Sequence, residues 1–94
     1  MTTLEKAKLV LRIMTDDFDE EITDLINAAI MDLGVAGVSN VDETDPLINR
    51  AIMTFVKMNF GINYGSGNAD YENLKKSYDE QKAQLALTTG YTNY

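Results

Sequence analysis

Apolar residues cover most of the circumference of one predicted helix, at residues 45–60. Because a helix turns about 100° per residue, each side chain can be placed around its axis. Only Arg50, Thr54 and Lys57 form an unbroken polar strip. A helix that is apolar on so many sides must be covered by several neighbours. We therefore expect this segment to be the core helix. Its apolar residues are Leu47, Ile48, Ala51, Ile52, Met53, Phe55, Val56, Met58 and Phe60.

Start and stop signals bound this core helix. Thr44 or Asp45 can cap it, and Pro46 stands at the first helical position, where its missing N–H is harmless. Gly61 ends it and opens a glycine-rich polar turn over residues 61–68.

A short amphipathic helix is predicted at the start of the chain, from Leu4 to Ile13, with Thr2 or Thr3 as its cap. A helix of this length is not stable alone in water, so its apolar face needs a partner. That face comprises Leu4, Ala7, Val10, Leu11 and Met14. The other face is polar and open, and comprises Glu5, Lys8 and Arg12.

A second amphipathic helix is predicted to begin near Phe18. Asp17 and Glu20 have the spacing of a capping-box variant, and Gly34 is a natural C-terminal stop. Its apolar stripe has the i, i+3, i+4, i+7 spacing of a helix and comprises Ile22, Leu25, Ile26, Ala29, Ile30 and Leu33.

The last predicted helix, from Ala69 to Leu85, has only a narrow apolar seam among charged and polar residues. Its spacing is heptad-like but too short for a coiled coil. The seam comprises Tyr71, Leu74, Tyr78 and Leu85, with Gln81 in line. The uncharged residues 87–94 that follow are either a frayed terminus or an arm that becomes ordered on a neighbour.

Together these patterns predict an all-α bundle of about four helices, with a helical domain at residues 1–86 and a C-terminal arm at residues 87–94. The core candidates are Leu11, Ile22, Leu25, Ile26, Ala29, Leu47, Ile48, Ala51, Ile52 and Phe55.

The composition of the chain argues against several classes of function. The 94 residues include 8 basic and 15 acidic ones, a formal charge of −7, and no basic cluster that would bind DNA in a sequence-specific way. The chain has no Cys and no His, so thiol and imidazole chemistry and the usual zinc sites are excluded. The carboxylates lie on predicted polar faces and caps. We predict no enzyme, no metal site and no cofactor.

Two other classes are also disfavoured. An acidic helical bundle resembles acyl carrier proteins, but Ser39, Ser66 and Ser77 lack the Asp-Ser-Leu context that carries phosphopantetheine. The N-terminus lacks the apolar region of a signal peptide, and no apolar run approaches the ~20 residues that span a bilayer. We expect a soluble intracellular protein with no membrane partner.

An acidic segment precedes the second helix and enters its first turns, with Asp16, Asp17, Asp19, Glu20 and Asp24 as its candidate site residues. Carboxylates there complement the helix dipole and need no ligand. The alternative is a surface that faces a partner or repels nucleic acid.

The order of these elements resembles a known family. The residues that carry the likeness are Lys8 to Ile13, Asp16-Asp17, Ile22 to Ile30, Asp45-Pro46-Leu47, Val56 to Gly61, and Tyr71 to Leu87 with Lys76-Ser77-Tyr78. The chain resembles, over almost its whole length, the small head–tail connector proteins of tailed bacteriophages and prophages, often labelled DNA-packaging proteins. Many members have an aromatic-rich, Arg-containing end to the third helix, where this chain has Lys57-Met58-Asn59-Phe60-Gly61.

The resemblance implies a structural subunit at the head–tail interface of the virion, present in the host cytoplasm during assembly. Family members form a ring, commonly of twelve, beneath the portal protein. The ring extends the channel for genomic DNA, without reading its sequence, and offers a platform to a stopper or head-completion protein. The C-terminal helix and tail of relatives tend to engage the portal. The corresponding portal-binding candidates here are Tyr71, Leu74, Lys75, Tyr78, Lys82, Tyr91 and Tyr94.

The acidic segment also permits a different class of function. A small acidic helical protein can act as a regulatory adaptor or as a DNA mimic that binds a basic host or phage protein.

For the channel hypothesis, an acidic lining would repel phosphates and let the duplex slide.

Overall fold

The computed structural model describes residues 2–38, 41–60 and 68–87 of the chain. Four helices lie in these segments: α1 (Thr3–Leu11), α2 (Asp19–Val35), α3 (Pro46–Phe60) and α4 (Asn68–Leu87). The all-α bundle predicted from the sequence is confirmed. None of these helices combines the length and the apolar character that crossing a membrane requires, within the part of the chain that is described.

Helix α3 is the centre of the bundle and packs against each of the other three helices. Ile52 and Val56 are fully buried. Phe60 is half-buried and meets the ring of Phe18 edge-on, with 5.6 Å between the ring centroids. The apolar surface of α3 is therefore largely covered within one chain, and Val56 and Phe60 leave no bare patch for a neighbouring subunit.

The core candidates occupy three different environments. Ile22, Ile26, Ala29, Ile48, Ala51 and Ile52 are buried. Leu11, Leu25 and Phe55 are half-buried and pack against that core. Leu47 is 42% exposed, contrary to the expectation. It lies in the first turn of α3, where the adjacent Ile48 takes the inward position.

The N-terminus of α3 is capped by one side chain. Asp45 Oδ1 accepts hydrogen bonds from the N–H groups of Leu47 at 2.9 Å and Ile48 at 3.3 Å. Thr44 bonds instead to Asp42, through both its N–H and its hydroxyl. Of the two predicted caps, Asp45 is therefore the one used, and Pro46 follows it at the first helical position.

Helix α1 begins with a full capping box. Thr2 Oγ1 accepts from the N–H of Glu5 at 3.1 Å, and the N–H of Thr2 donates to Glu5 Oε1 at 2.8 Å. The helix ends at Leu11 because Arg12 adopts the left-handed conformation, with φ 61°. This turn redirects the chain, so Met14, predicted on the apolar face, is 99% exposed.

Helix α2 buries the predicted stripe but differs at both ends. Phe18 is its N-cap and makes no side-chain capping bond, so the Asp17–Glu20 capping box is wrong. At the other end the helix runs through Gly34 to Val35. The glycine that turns the chain is Gly37, with φ 106°.

Helix α4 docks through the narrow seam. Tyr78 and Leu85 are buried, while Leu74 and Gln81 are half-buried. The side chain of Tyr71 lies outside the described residues, as do residues 61–67 and the greater part of the predicted arm, residues 88–94. The boundary between domain and arm stays a prediction.

Candidate functional site

Two residues of the acidic segment form ion pairs within the chain, at the junction of α1 and α2. Lys8 Nζ lies 2.8 Å from Asp16 Oδ1 and 2.9 Å from Asp19 Oδ1. The Lys8 side chain is only 18% exposed, although the sequence placed it on an open polar face. These contacts fix the turn between the two helices.

The charges at this junction support each other. The hydrogen bond to Asp16, followed by that to Asp19, raises the pKa of Lys8. The same bond to Lys8 lowers the pKa of Asp16. Both effects favour the charged pair near neutral pH. Asp16 and Asp19 therefore have a structural role, although Asp16 remains open to solvent.

The remaining acidic residues form an open surface along the first turns of α2. Asp17, Glu20, Glu21 and Asp24 are exposed and line a shallow depression together with Phe18 and Leu25. Helix α2 contains five acidic residues, Asp19, Glu20, Glu21, Asp24 and Asp32, and no Lys or Arg. This face is suited to repelling phosphates or to meeting a basic partner.

A second polar cluster joins α4 to α2. The Tyr78 hydroxyl donates a hydrogen bond to Asp32 Oδ2 at 2.5 Å, and Lys82 Nζ reaches the same oxygen at 3.2 Å. Lys82 also lies 5.2 Å from the centre of the Tyr78 ring, within the range of a cation–π contact. One carboxylate therefore accepts bonds from two side chains of α4.

The tyrosine of this cluster is an internal residue. Tyr78 is 2% exposed, and its ring meets that of Phe55 edge-on with 5.3 Å between centroids. Burial, reinforced by the hydrogen bond to Asp32, raises the pKa of Tyr78 far above its ordinary value. The hydroxyl therefore stays protonated and acts as a donor that fixes α4.

The portal-binding candidates are thus separated by the structure. Tyr78 is buried and Lys82 is half-buried, and both already bond to Asp32 within the folded chain. Lys75 is on the outer side, in an exposed pair with Asp79 at 3.1 Å. Leu74 is half-buried. The side chains of Tyr71, Tyr91 and Tyr94 lie outside the described residues.

The sequence analysis missed a set of exposed apolar side chains on α1 and α2. They are Leu9 at 64%, Met31 at 72% and Val35 at 83% exposed. Leu9 and Met31 could have been found in the sequence, because each falls off the apolar stripe of its predicted helix. Val35 lay beyond the predicted stop at Gly34. An apolar residue opposite a buried stripe has no partner within the chain. Such residues, when grouped, indicate an interaction surface.

No group of three or more acidic, His or Cys side chains is placed to hold a metal ion in the described segments. What the folded chain presents is charged and apolar surface, of the kind used for assembly.

Comparison with known protein families bears on the two classes of function left open by the sequence, a structural connector and a regulatory adaptor. A family model described as phage connector protein matches residues 3–92, a range that includes all four helices. The chain belongs to the phage connector protein family. The comparisons with curated proteins and with solved structures found no match.

Family membership agrees with the resemblance drawn from the sequence and gives the protein a head–tail connector role. A connector is a structural part of the phage virion, which fits a chain that shows surfaces for assembly.

Proposed function

We propose that this connector protein assembles as a ring beneath the portal, extends the DNA channel and provides the platform on which a stopper or head-completion protein docks. The observation that carries the proposal is the family match, which extends over residues 3–92. A match of that extent includes the elements that pack the core as well as those that remain exposed. A ring of twelve subunits is the expectation drawn from the family.

The charge of the chain supports passage of DNA along the channel. The formal charge is −7, and α2 carries five acidic residues and no Lys or Arg of its own. A lining with this charge repels the phosphate backbone, whereas a basic lining would bind it and slow its movement. The connector is therefore expected to accommodate DNA without holding it.

The outer side of α4 and residues 87–94 are proposed to bind the portal. Lys75, Lys76, Asp79 and Glu80 are exposed on α4, and Leu87, its last residue, is 84% exposed. Tyr78 and Lys82 would then act indirectly, by holding α4 in place through Asp32. The portal contacts would come from the outer charged residues and the arm.

The experiment that tests the ring is co-purification with the portal protein of the same phage, followed by electron microscopy. We expect a ring of connector subunits attached to the portal, coaxial with its channel. A connector that stays monomeric and does not bind the portal would contradict the proposal. Capture of a basic nucleic-acid-binding protein, with no connector in purified virions, would favour the regulatory-adaptor alternative.

A truncation tests the portal surface. Deleting residues 87–94 should abolish attachment to the portal, while circular dichroism still reports the helical fold. Lys76→Met, an exposed single-site change on α4, serves as a milder variant that keeps the arm. Full attachment of the truncated protein would exclude the arm from the portal contact.

A further inference from the structure

Helix α2 presents an apolar strip on the side away from its core. Ala28, Met31 and Val35 are exposed and follow Asp24 at helical spacing. At about 100° per residue, these positions lie opposite the buried stripe of the same helix. Gly34 lies beside the strip, and no atom within 4 Å would meet a Cβ there. We call Asp24, Ala28, Met31 and Val35 the α2 outer face.

Helix α1 presents a second apolar surface, with the opposite charge at its edges. Leu9 is 64% and Val10 39% exposed. Lys6 and Arg12 flank them in the sequence, and Glu5 on the same side is engaged with Thr2 in the capping box. We call Lys6, Leu9, Val10 and Arg12 the α1 outer face.

The charged side chains on and beside the two faces form no ion pairs among the described residues. Neither Lys6 nor Arg12 forms an ion pair in the part of the chain that the structure describes. Over the same residues, Glu20, Glu21 and Asp24 on the acidic side of α2 are also without one. Each face therefore combines exposed apolar side chains with charges that lack a partner, and the signs are opposite.

We propose that the α1 outer face of one connector subunit packs against the α2 outer face of the next. The inference rests on the ring assembly proposed above and names the contact that builds it. Apolar side chains would meet at the centre, with Lys6 and Arg12 near the acidic side chains of α2. Such charge complementarity guides association and fixes orientation.

The choice of a second copy follows from the two faces being unlike and lying on the same chain. Leu9 on α1 and the α2 outer face point away from the residues that their own helices bury, with Val10 at the edge of the buried side, so one subunit cannot bring the two faces together. A contact between unlike patches is head-to-tail, and it closes into a ring when the rotation per subunit allows. A single pair of faces would then serve every subunit.

Cysteine crosslinking tests this contact, because the natural chain has no Cys. Leu9→Cys and Met31→Cys chains are mixed and treated with a short bis-maleimide, with and without the portal protein of the same phage. We expect a crosslinked heterodimer at a yield several-fold above that of a matched control pair, Leu9→Cys with Ser77→Cys. Ser77 is exposed on α4, outside both faces.

The double variant Leu9→Cys/Met31→Cys gives a stronger test. A head-to-tail contact predicts a ladder of crosslinked oligomers from this variant, because every subunit carries both halves of the contact. Each single variant alone should give no crosslinked species, because only one half of the contact then carries a Cys. Homodimers from a single variant would show a contact between like faces and would overturn the proposal, as would a mixed yield no higher than the control.

Charge reversal tests the proposed charge complementarity between the two faces. Glu20→Lys/Asp24→Lys in the Met31→Cys chain should reduce the heterodimer yield several-fold, and an unchanged yield would contradict the complementarity. These outcomes are separate from portal binding. Rings that form on the portal without the expected crosslinks overturn only this interface, whereas crosslinked oligomers that never bind the portal count against the proposed function.

Discussion

Helices α3 and α4 are attached to the bundle in different ways. Helix α3 contacts three helices and buries five side chains, namely Ile48, Ala51, Ile52, Val56 and Met58. Helix α4 has 20 residues, yet within its described side chains only Tyr78 and Leu85 are buried. Its link to α2 is polar and passes through Asp32.

The difference shows two kinds of stabilisation in one small domain. Burial of apolar surface is non-directional, and each fully buried aliphatic side chain contributes roughly 1.5–3 kcal/mol. A hydrogen bond contributes less, and only in the right geometry. Helix α3 is therefore held by the quantity of its packing. Helix α4 buries fewer side chains against α3 and adds a polar link to α2 that depends on the positions of a few atoms.

The largest expected effect comes from removing packing around α3. Ile52→Ala deletes a fully buried side chain and should lower the free energy of unfolding by about 2–5 kcal/mol. Chemical denaturation followed by circular dichroism measures it. Leu47→Ala, at a 42% exposed position of the same helix, is the matched control and should have a much smaller effect. Equal losses would refute the view that α3 is held by burial.

The next effect concerns the polar link of α4. Tyr78→Phe keeps the ring but removes the hydroxyl that donates to Asp32, and should lower the free energy of unfolding by about 1–2 kcal/mol. The loss is limited because Asp32 keeps its bond from Lys82. Denaturation of this variant, of Asp32→Ala and of the double variant forms a double-mutant cycle. Strict additivity would show that the bond contributes nothing to stability.

The same hydroxyl predicts a pH dependence. The pKa of Tyr78 is raised above its ordinary value of 10.0, so the folded chain keeps the proton when the unfolded chain begins to lose it. Stability is fully present below pH 10 and falls above it, by about 1 kcal/mol over the first pH unit. Unfolding at a series of alkaline pH values should therefore show a flatter profile for Tyr78→Phe. Identical slopes for both proteins would disprove the assignment.

The smallest effect is expected on the outer side of α4. Lys75 and Asp79 form a half-exposed ion pair one turn apart, and such pairs contribute roughly 0.3–0.5 kcal/mol. Lys75→Met should therefore change the denaturation midpoint very little, and less still at high salt. A loss of stability as large as that of Tyr78→Phe would mean that the outer ion pair stabilises α4 as much as the buried hydrogen bond does.

The regular parts of this fold were readable from the sequence because they repeat. The stripe of α2 and the apolar girth of α3 each extend over several turns, so small local deviations do not hide them. The seam of α4 was also visible, since Leu74, Tyr78 and Leu85 are the apolar residues of a polar segment. Repetition made the helix type and the inward face predictable.

Features that depend on one conformation or on distant partners were not predictable in this way. The left-handed Arg12 ends α1 early and exposes Met14, and nothing in the helical period signals it. The partnership of Asp32 with Tyr78 joins residues 46 positions apart. Lys8 was assigned to an open face because its partners belong to the following turn.

The narrow seam of α4 also affects how the folded chain fluctuates. A helix that buries two side chains in its described part can separate from the bundle at a lower free energy than a helix enclosed by three neighbours. Backbone amides of α4 should then exchange with solvent deuterium through partial opening. Those of α3 should exchange only when the whole chain unfolds. Partial opening of the folded chain would thus be confined to the C-terminal end that we assign to the portal.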